Sequence, residues 1–248
     1  MKTLSNICYE LGSDKVKHGY TQAYEKHFEK FRFSNNILLE IGLWKGASLR
    51  VWDAYFTHTT ICGMDFFDKS GLFTELKNKW VFIQGDQGNS EHLQKLCERT
   101  LGRYKEYDII IDDGSHMQHD QMISLAYLFP RLRSGGLYII EDIVPAKELA
   151  DNAMWWGTSD EIHAGTYGLS LNSKSLQLLR TDKDWLPGGV KDIDNCTERT
   201  FQRYMDCNFF SNTFLSEQQN KYINENIDWV EFYPAGWYKD AAADKCTS

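Results

Sequence analysis

Along the chain, short runs of nearly unbroken apolar residues alternate with longer stretches in which apolar positions recur every three or four residues. Five runs stand out: Asn36–Gly42, Thr60–Asp65, Trp80–Gln84, Tyr107–Asp112 and Leu137–Glu141. A strand covered on both faces reads this way, because successive side chains point into two apolar layers, and each run is predicted to be a parallel central strand. The intervening spacing predicts helices. Over Ser90–Leu101 the residues Leu93, Leu96, Cys97 and Leu101 share one face, as do Met122, Leu125, Ala126, Phe129 and Leu132 over Gln118–Leu132. Repeated strand and helix imply a doubly wound, mostly parallel α/β sheet. Further on, Asp228–Lys239 alternates like an antiparallel hairpin turning at Pro234-Ala235-Gly236. Its two strands would bring the sheet to seven.

At 248 residues the chain is expected to form one domain with four parts: a helical cap (1–35), a binding core (36–143), a variable substrate-covering segment (144–227) and the closing hairpin (228–240). The first residues lack the apolar core of a signal peptide, and no apolar run approaches the ~20 residues of a membrane span, so no membrane partner is expected. Six cysteines without CxxC spacing fit reduced thiols in a cytoplasm. A net charge of -8 disfavours nucleic acid, which demands clustered Lys and Arg, and leaves a small neutral or cationic substrate.

Ligands of doubly wound sheets collect at the carboxyl ends of the strands, so residues there are the candidates for chemistry. Glu40 lies near the end of the first run, Asp65 closes the second, Asp112 and Asp113 the fourth, and Glu141 and Asp142 the fifth. One such carboxylate is as easily a helix cap. Four tips together imply a site.

Glu40-Ile41-Gly42-Leu43-Trp44-Lys45-Gly46 joins the first strand to a helix, and its glycines let the backbone approach a ligand. The dinucleotide pattern GxGxxG is absent. A pyrophosphate wants helix N–H groups, whereas the ammonium at the amino-acid end of S-adenosylmethionine favours a carboxylate such as Glu40. Asp65 is placed to accept hydrogen bonds from ribose hydroxyls. Gly85-Asp86-Gln87 offers a carboxylate and an amide to an adenine edge, with an ordinary turn as the alternative.

Asp112-Asp113-Gly114-Ser115-His116 carries most information. Adjacent carboxylates at a buried strand end repel one another and are costly to desolvate, which implies a cation. With Glu141 and Asp142 they make an all-oxygen site suited to Mg²⁺, and less surely Mn²⁺ or Ca²⁺, while the lack of Cys or paired His disfavours zinc. His116 reaches over such a metal as a general base, since an imidazole takes up protons near neutral pH. Of seven histidines only His116 and His119 follow a strand, and only His116 lies in the carboxylate-rich loop. Asp112 either shapes the strand end or contacts the cofactor.

These segments resemble the class I methyltransferases that methylate sugar hydroxyls on macrolides such as mycinamicin and tylosin. The resemblance runs through Leu11-Gly12-Ser13-Asp14-Lys15 with Tyr20 and Tyr24, Leu39–Leu49, Gly85-Asp86-Gln87, Ile110–His116 and Gly135–Asp142, with Phe232-Tyr233 and Lys239 like the closing hairpin. It implies a Rossmann-like, S-adenosylmethionine- and Mg²⁺-dependent O-methyltransferase acting on a small-molecule hydroxyl, with a homo-oligomeric assembly. By resemblance, Asp113, Glu141 and Asp142 would hold Mg²⁺ (or Mn²⁺), and His116, with Asp113, would be catalytic. Ser13, Lys15, Tyr20, Glu40, Gly42, Gly46, Ser48, Asp65, Asp86, Gln87 and Asp112 would line the cofactor site. The chain departs from the family at Ile143-Val144-Pro145-Ala146 and from 154 to 226, so substrate identity does not transfer. Two alternatives keep the fold: a relative labelled cephalosporin hydroxylase, and an inactive cofactor-binding accessory protein. A nicotinamide oxidoreductase is disfavoured by the missing GxGxxG.

Overall fold

The computed structural model of the protein describes residues 2–73, 80–101, 106–143 and 195–233. Five parallel strands, β1 (Asn35–Ile41), β2 (His58–Asp65), β3 (Trp80–Gln84), β4 (Tyr107–Asp112) and β5 (Leu132–Ile140), form one sheet in the order β3-β2-β1-β4-β5. The described helices are α1 (Leu4–Leu11), α2 (Tyr20–Phe28), α3 (Ala47–Tyr55), α4 (Ser70–Phe73), α5 (Ser90–Thr100), α6 (Gln118–Leu128), α7 (Thr197–Cys207) and α8 (Glu217–Asn226). The winding reverses between β1 and β4, which opens a crevice at their carboxyl ends.

The two-residue period of the strands builds two apolar layers. Leu38, Ile61, Ile109 and Ile111 pack with Leu4, Phe28 and Trp52 of α1, α2 and α3. Ile37, Leu39, Ile41, Cys62, Met64 and Ile110 face Leu93 and Leu96 of α5 on the other side. A third cluster lies beyond α6, where Met122, Leu125 and Ala126 meet Phe201, Tyr204, Phe210 and Ile223 of the 195–233 segment. Buried amides lock that contact: Thr197 N donates to Gln118 Oε1 (2.7 Å) and Thr197 Oγ1 to Gln121 Oε1 (2.8 Å).

β3 and β4 coincide with their apolar runs, and β1 and β2 begin one and two residues early. β5 differs more. It starts at Leu132 and runs through Arg133-Ser134-Gly135-Gly136, with irregular register against Tyr107 and Ile109. It is also an edge of the described sheet and only partly buried, as is β3 an edge, rather than a central strand. The helix expected to Leu132 stops at Leu128, because Pro130 follows and a 3₁₀ turn (Phe129–Arg131) replaces the last turn. Of the expected hairpin, residues 228–233 are irregular chain tied to α2: Lys26 Nζ lies 2.7 Å from Glu231 Oε1, and His27 stacks on Trp229 at 5.1 Å between centroids. Residues 234–240, with Lys239, lie outside the described residues, as do 144–194. The described sheet therefore has five strands, not seven.

Candidate active site

Register brings the strand tips level. Ile41 pairs with Asp112, and Asp112 with Ile140. The ladder continues one residue further through Asp113 N to Ile41 O (2.9 Å), Glu141 N to Asp112 O (2.9 Å) and Gly42 N to Met64 O (2.8 Å). Asp113, Glu141 and Asp142 thus leave adjoining strands side by side. Gly42 makes this possible: at φ 83 it passes so close to the neighbouring loop that a Cβ would sit 1.9 Å from the Asp113 carbonyl oxygen.

Into the cluster comes Lys15, only 2% exposed, from a 3₁₀ turn at Asp14–Val16. Its Nζ lies 2.5 Å from Glu141 Oε1, 2.9 Å from Asp113 Oδ2 and 3.6 Å from Glu40 Oε1. Tyr24 donates to the same Glu141 oxygen, and Tyr20 to Asp142 Oδ1. Burial first, then the charge of Asp113, raises the Glu141 carboxyl above its ordinary range despite Lys15. Burial opposes the charge on Lys15, but Asp113 and Glu141 outweigh it and hold the ammonium well above its usual value. Both phenols are raised by burial and by these carboxylates, so they remain donors.

Asp113, His116 and Asp142 form a second grouping at the open edge. Each offers one ligand atom, and these atoms all lie within 4.8 Å of one another. His116 Nε2 is 3.7 Å from Asp142 Oδ2. Both His116 (φ 57) and Asp142 (φ 50) adopt the left-handed conformation, which costs a non-glycine residue and is characteristic of functional loops. Hard carboxylate oxygens and one imidazole in this compass fit a divalent cation. Glu141, expected among the ligands, lies one residue before Asp142 and is bonded to Lys15 and Tyr24, because the N-terminal turn brings an ammonium to it.

The other expected residues make these contacts. Glu40 is fully buried, accepts from Ser48 Oγ (2.9 Å) and Trp52 Nε1 (3.2 Å), and is raised to about 7 by burial. Asp65 accepts the amides of Leu43 and Phe67, both at 2.9 Å, so it shapes the glycine loop while keeping acceptor capacity for a ligand. Gly46 opens α3 at φ 72, and Ser13 is buried beside the Lys15 turn. Asp112 accepts from Gln87 Nε2 (2.9 and 3.1 Å) and Ser124 Oγ (2.5 Å), and burial raises it to about 6. Those contacts tie the end of β4 to Gln87 and to α6. Gln87 Oε1 in turn accepts the Ser115 amide (2.7 Å), clamping the loop that carries His116. Asp86 turns inward on its own loop, taking the Gly88 amide at 2.8 Å. His119 stays apart, against Asp120 and Phe214.

Trp52, Ser124 and the role of Tyr24 are additions to the sequence reading. Helical spacing held the signal for two of them: Tyr24 is four residues from Tyr20 and Trp52 four from Ser48, so each pair shares a face.

No family model matches the chain. It is 41% identical over 133 residues to mycinamicin VI 2''-O-methyltransferase of Micromonospora griseorubida, covering 51% of this chain and 32% of that protein. It is 34% identical over 149 residues to an 8-demethyl-8-(2-methoxy-alpha-L-rhamnosyl)-tetracenomycin-C 3'-O-methyltransferase of Streptomyces olivaceus, covering 56% and 36%. The chain thus spans about a third of the length of these curated relatives. Among solved structures, the MycE methyltransferase of the mycinamycin biosynthetic pathway, in complex with Mg and SAH, superposes with a TM-score of 0.62 at 27% identity, over 94% of this chain and 52% of that one. In sequence this chain is similar to the sugar O-methyltransferases of the mycinamicin and tetracenomycin type, and in fold to the MycE methyltransferase.

Proposed function

We propose that the chain is an S-adenosylmethionine-dependent O-methyltransferase that acts on a sugar hydroxyl of a glycosylated natural product and uses a divalent ion, preferably Mg²⁺. The observation that carries this reading is the convergence of Asp113, His116 and Asp142 within 4.8 Å, beside the glycine loop of β1. Asp113 and Asp142, with Glu141 adjoining, would hold the ion, which lowers the pKa of a bound hydroxyl and fixes its position. The chain's own residues do the rest. Gly42 lets the β1 loop pass against the Asp113 loop, Glu40 would face the cofactor's ammonium, and Asp65 would accept from its ribose. His116 takes the hydroxyl proton as the oxygen–carbon bond forms and the carbon–sulfur bond breaks, the electron pair staying on sulfur. Alignment of nucleophile, methyl carbon and sulfonium supplies several kcal/mol, about 7 or more where the pose is tight. The net charge of -8 suits a neutral acceptor rather than a polyanion.

The test is incubation of the purified protein with S-adenosylmethionine, Mg²⁺ and a panel of macrolide glycosides, with mass spectrometry of the products. Methyl transfer abolished by EDTA is expected. Absence of S-adenosylhomocysteine binding by calorimetry sinks the reading. Cofactor binding without transfer to any acceptor favours an accessory protein instead.

A further inference from the structure

Lys15 sits on a turn held between two left-handed glycines, Gly12 (φ 70) closing α1 and Gly19 (φ 77) opening α2. From there it pairs with acids of three separate elements, Glu40 in β1, Asp113 after β4 and Glu141 after β5. The rings of Tyr24 and Trp52 approach its Nζ at 5.9 and 6.0 Å. A buried ammonium persists only where counter-charges offset its lost hydration, and clustered carboxylates need a cation for the same reason. Asp113 is the pivot. It is bonded to Lys15 at 2.9 Å and belongs to the grouping with His116 and Asp142.

We propose that Lys15 is a built-in counter-cation that shares Asp113 and Glu141 with the divalent ion: it neutralises the pair without metal and gives up Asp113 when metal enters. This rests on the metal reading of Asp113 and Asp142 given above. Two consequences follow from one ammonium standing where a second cation must approach. Lys15 sets metal affinity lower than the carboxylates alone would, and metal entry loosens the Gly12–Gly19 segment, coupling loading to the seating of the N-terminal helices. In this role Lys15 is a positioning residue, acting on ligand carboxylates rather than on substrate.

Calorimetric titration of Mg²⁺ into wild type, Lys15→Met, Lys15→Gln and Lys15→Arg tests it. The two uncharged variants should bind Mg²⁺ on the order of tenfold more tightly, a difference well within reach of one removed charge, while Lys15→Arg stays near wild type. A purely structural lysine predicts no gain, so unchanged or weaker binding by Lys15→Gln overturns the proposal. Should Lys15→Met fold only with Mg²⁺ supplied, the ion has replaced the missing charge, which supports it. Wild type that binds no Mg²⁺, or Asp113→Asn that binds as wild type does, refutes the metal reading and this proposal with it.

Discussion

Gly42 and Glu40 show how single residues set the site. Gly42→Ala places a methyl where only 1.9 Å separates it from the Asp113 carbonyl, on a backbone at φ 83. The expected cost is about 2 kcal/mol or more, with weakened Mg²⁺ binding as the Asp113 loop shifts. Thermal melts and Mg²⁺ titration of that variant check this, and an unperturbed melt would contradict the close pass. Glu40 is raised to about 7 from 4.5 by burial. In the folded state its protonated form is favoured, so its contribution is fully present below about 4.5 and is lost as pH rises through about 7, on the order of 3 kcal/mol in all. The stability of Glu40→Gln minus that of wild type should therefore grow from pH 4.5 to 7.5; a constant difference would rule this out. At this scale the gathering of Asp113, Glu141 and Asp142 was legible because acids at strand ends are costly without a purpose, and His116 because it follows Asp113 in the same loop. Lys15 as the partner of Asp113 and Glu141 was not, since 98 and 126 residues of chain separate them and only the fold closes the gap.

Among the elements, α2 links two regions. Its Tyr20 and Tyr24 reach Asp142 and Glu141, while Lys26 and His27 on the same helix hold Glu231 and Trp229. Tyr24→Phe keeps the packing against Phe28 and Trp52 but leaves a buried carboxylate oxygen short of one donor. A loss of about 1–3 kcal/mol is expected by chemical denaturation, and no loss would mean that Lys15 alone satisfies Glu141. β1 and β4 could be read from sequence because they are buried on both faces and hence carry near-continuous apolar runs, Ile37-Leu38-Leu39 and Ile109-Ile110-Ile111. The first half of β5 could not, since Arg133-Ser134-Gly135-Gly136 is polar and falls in the register shift between the Tyr107–Leu132 and Ile109–Leu137 pairs. Likewise Pro130 was a visible helix stop that the apolar spacing of Phe129 and Leu132 masked.

Over the whole molecule, α6 is the wall shared by the sheet and the 195–233 segment. Phe210, fully buried beside Phe201, anchors that segment against Met122 and Leu125. Phe210→Ala should cost about 3–5 kcal/mol. If the segment only decorates the sheet, hydrogen exchange will rise in α7 and α8 and not in β1 or β4; a global rise would show one cooperative unit instead. The left-handed backbone at His116 and Asp142 carries a different kind of consequence, for what random variation can reach. Asparagine and glycine tolerate that conformation and β-branched residues do not. In a library at position 142 sorted for folding alone, Asn and Gly would survive and Val and Ile would be purged, although none of the four restores the lost carboxylate. Sequence drift at this position is therefore filtered by backbone shape before it is ever filtered by chemistry.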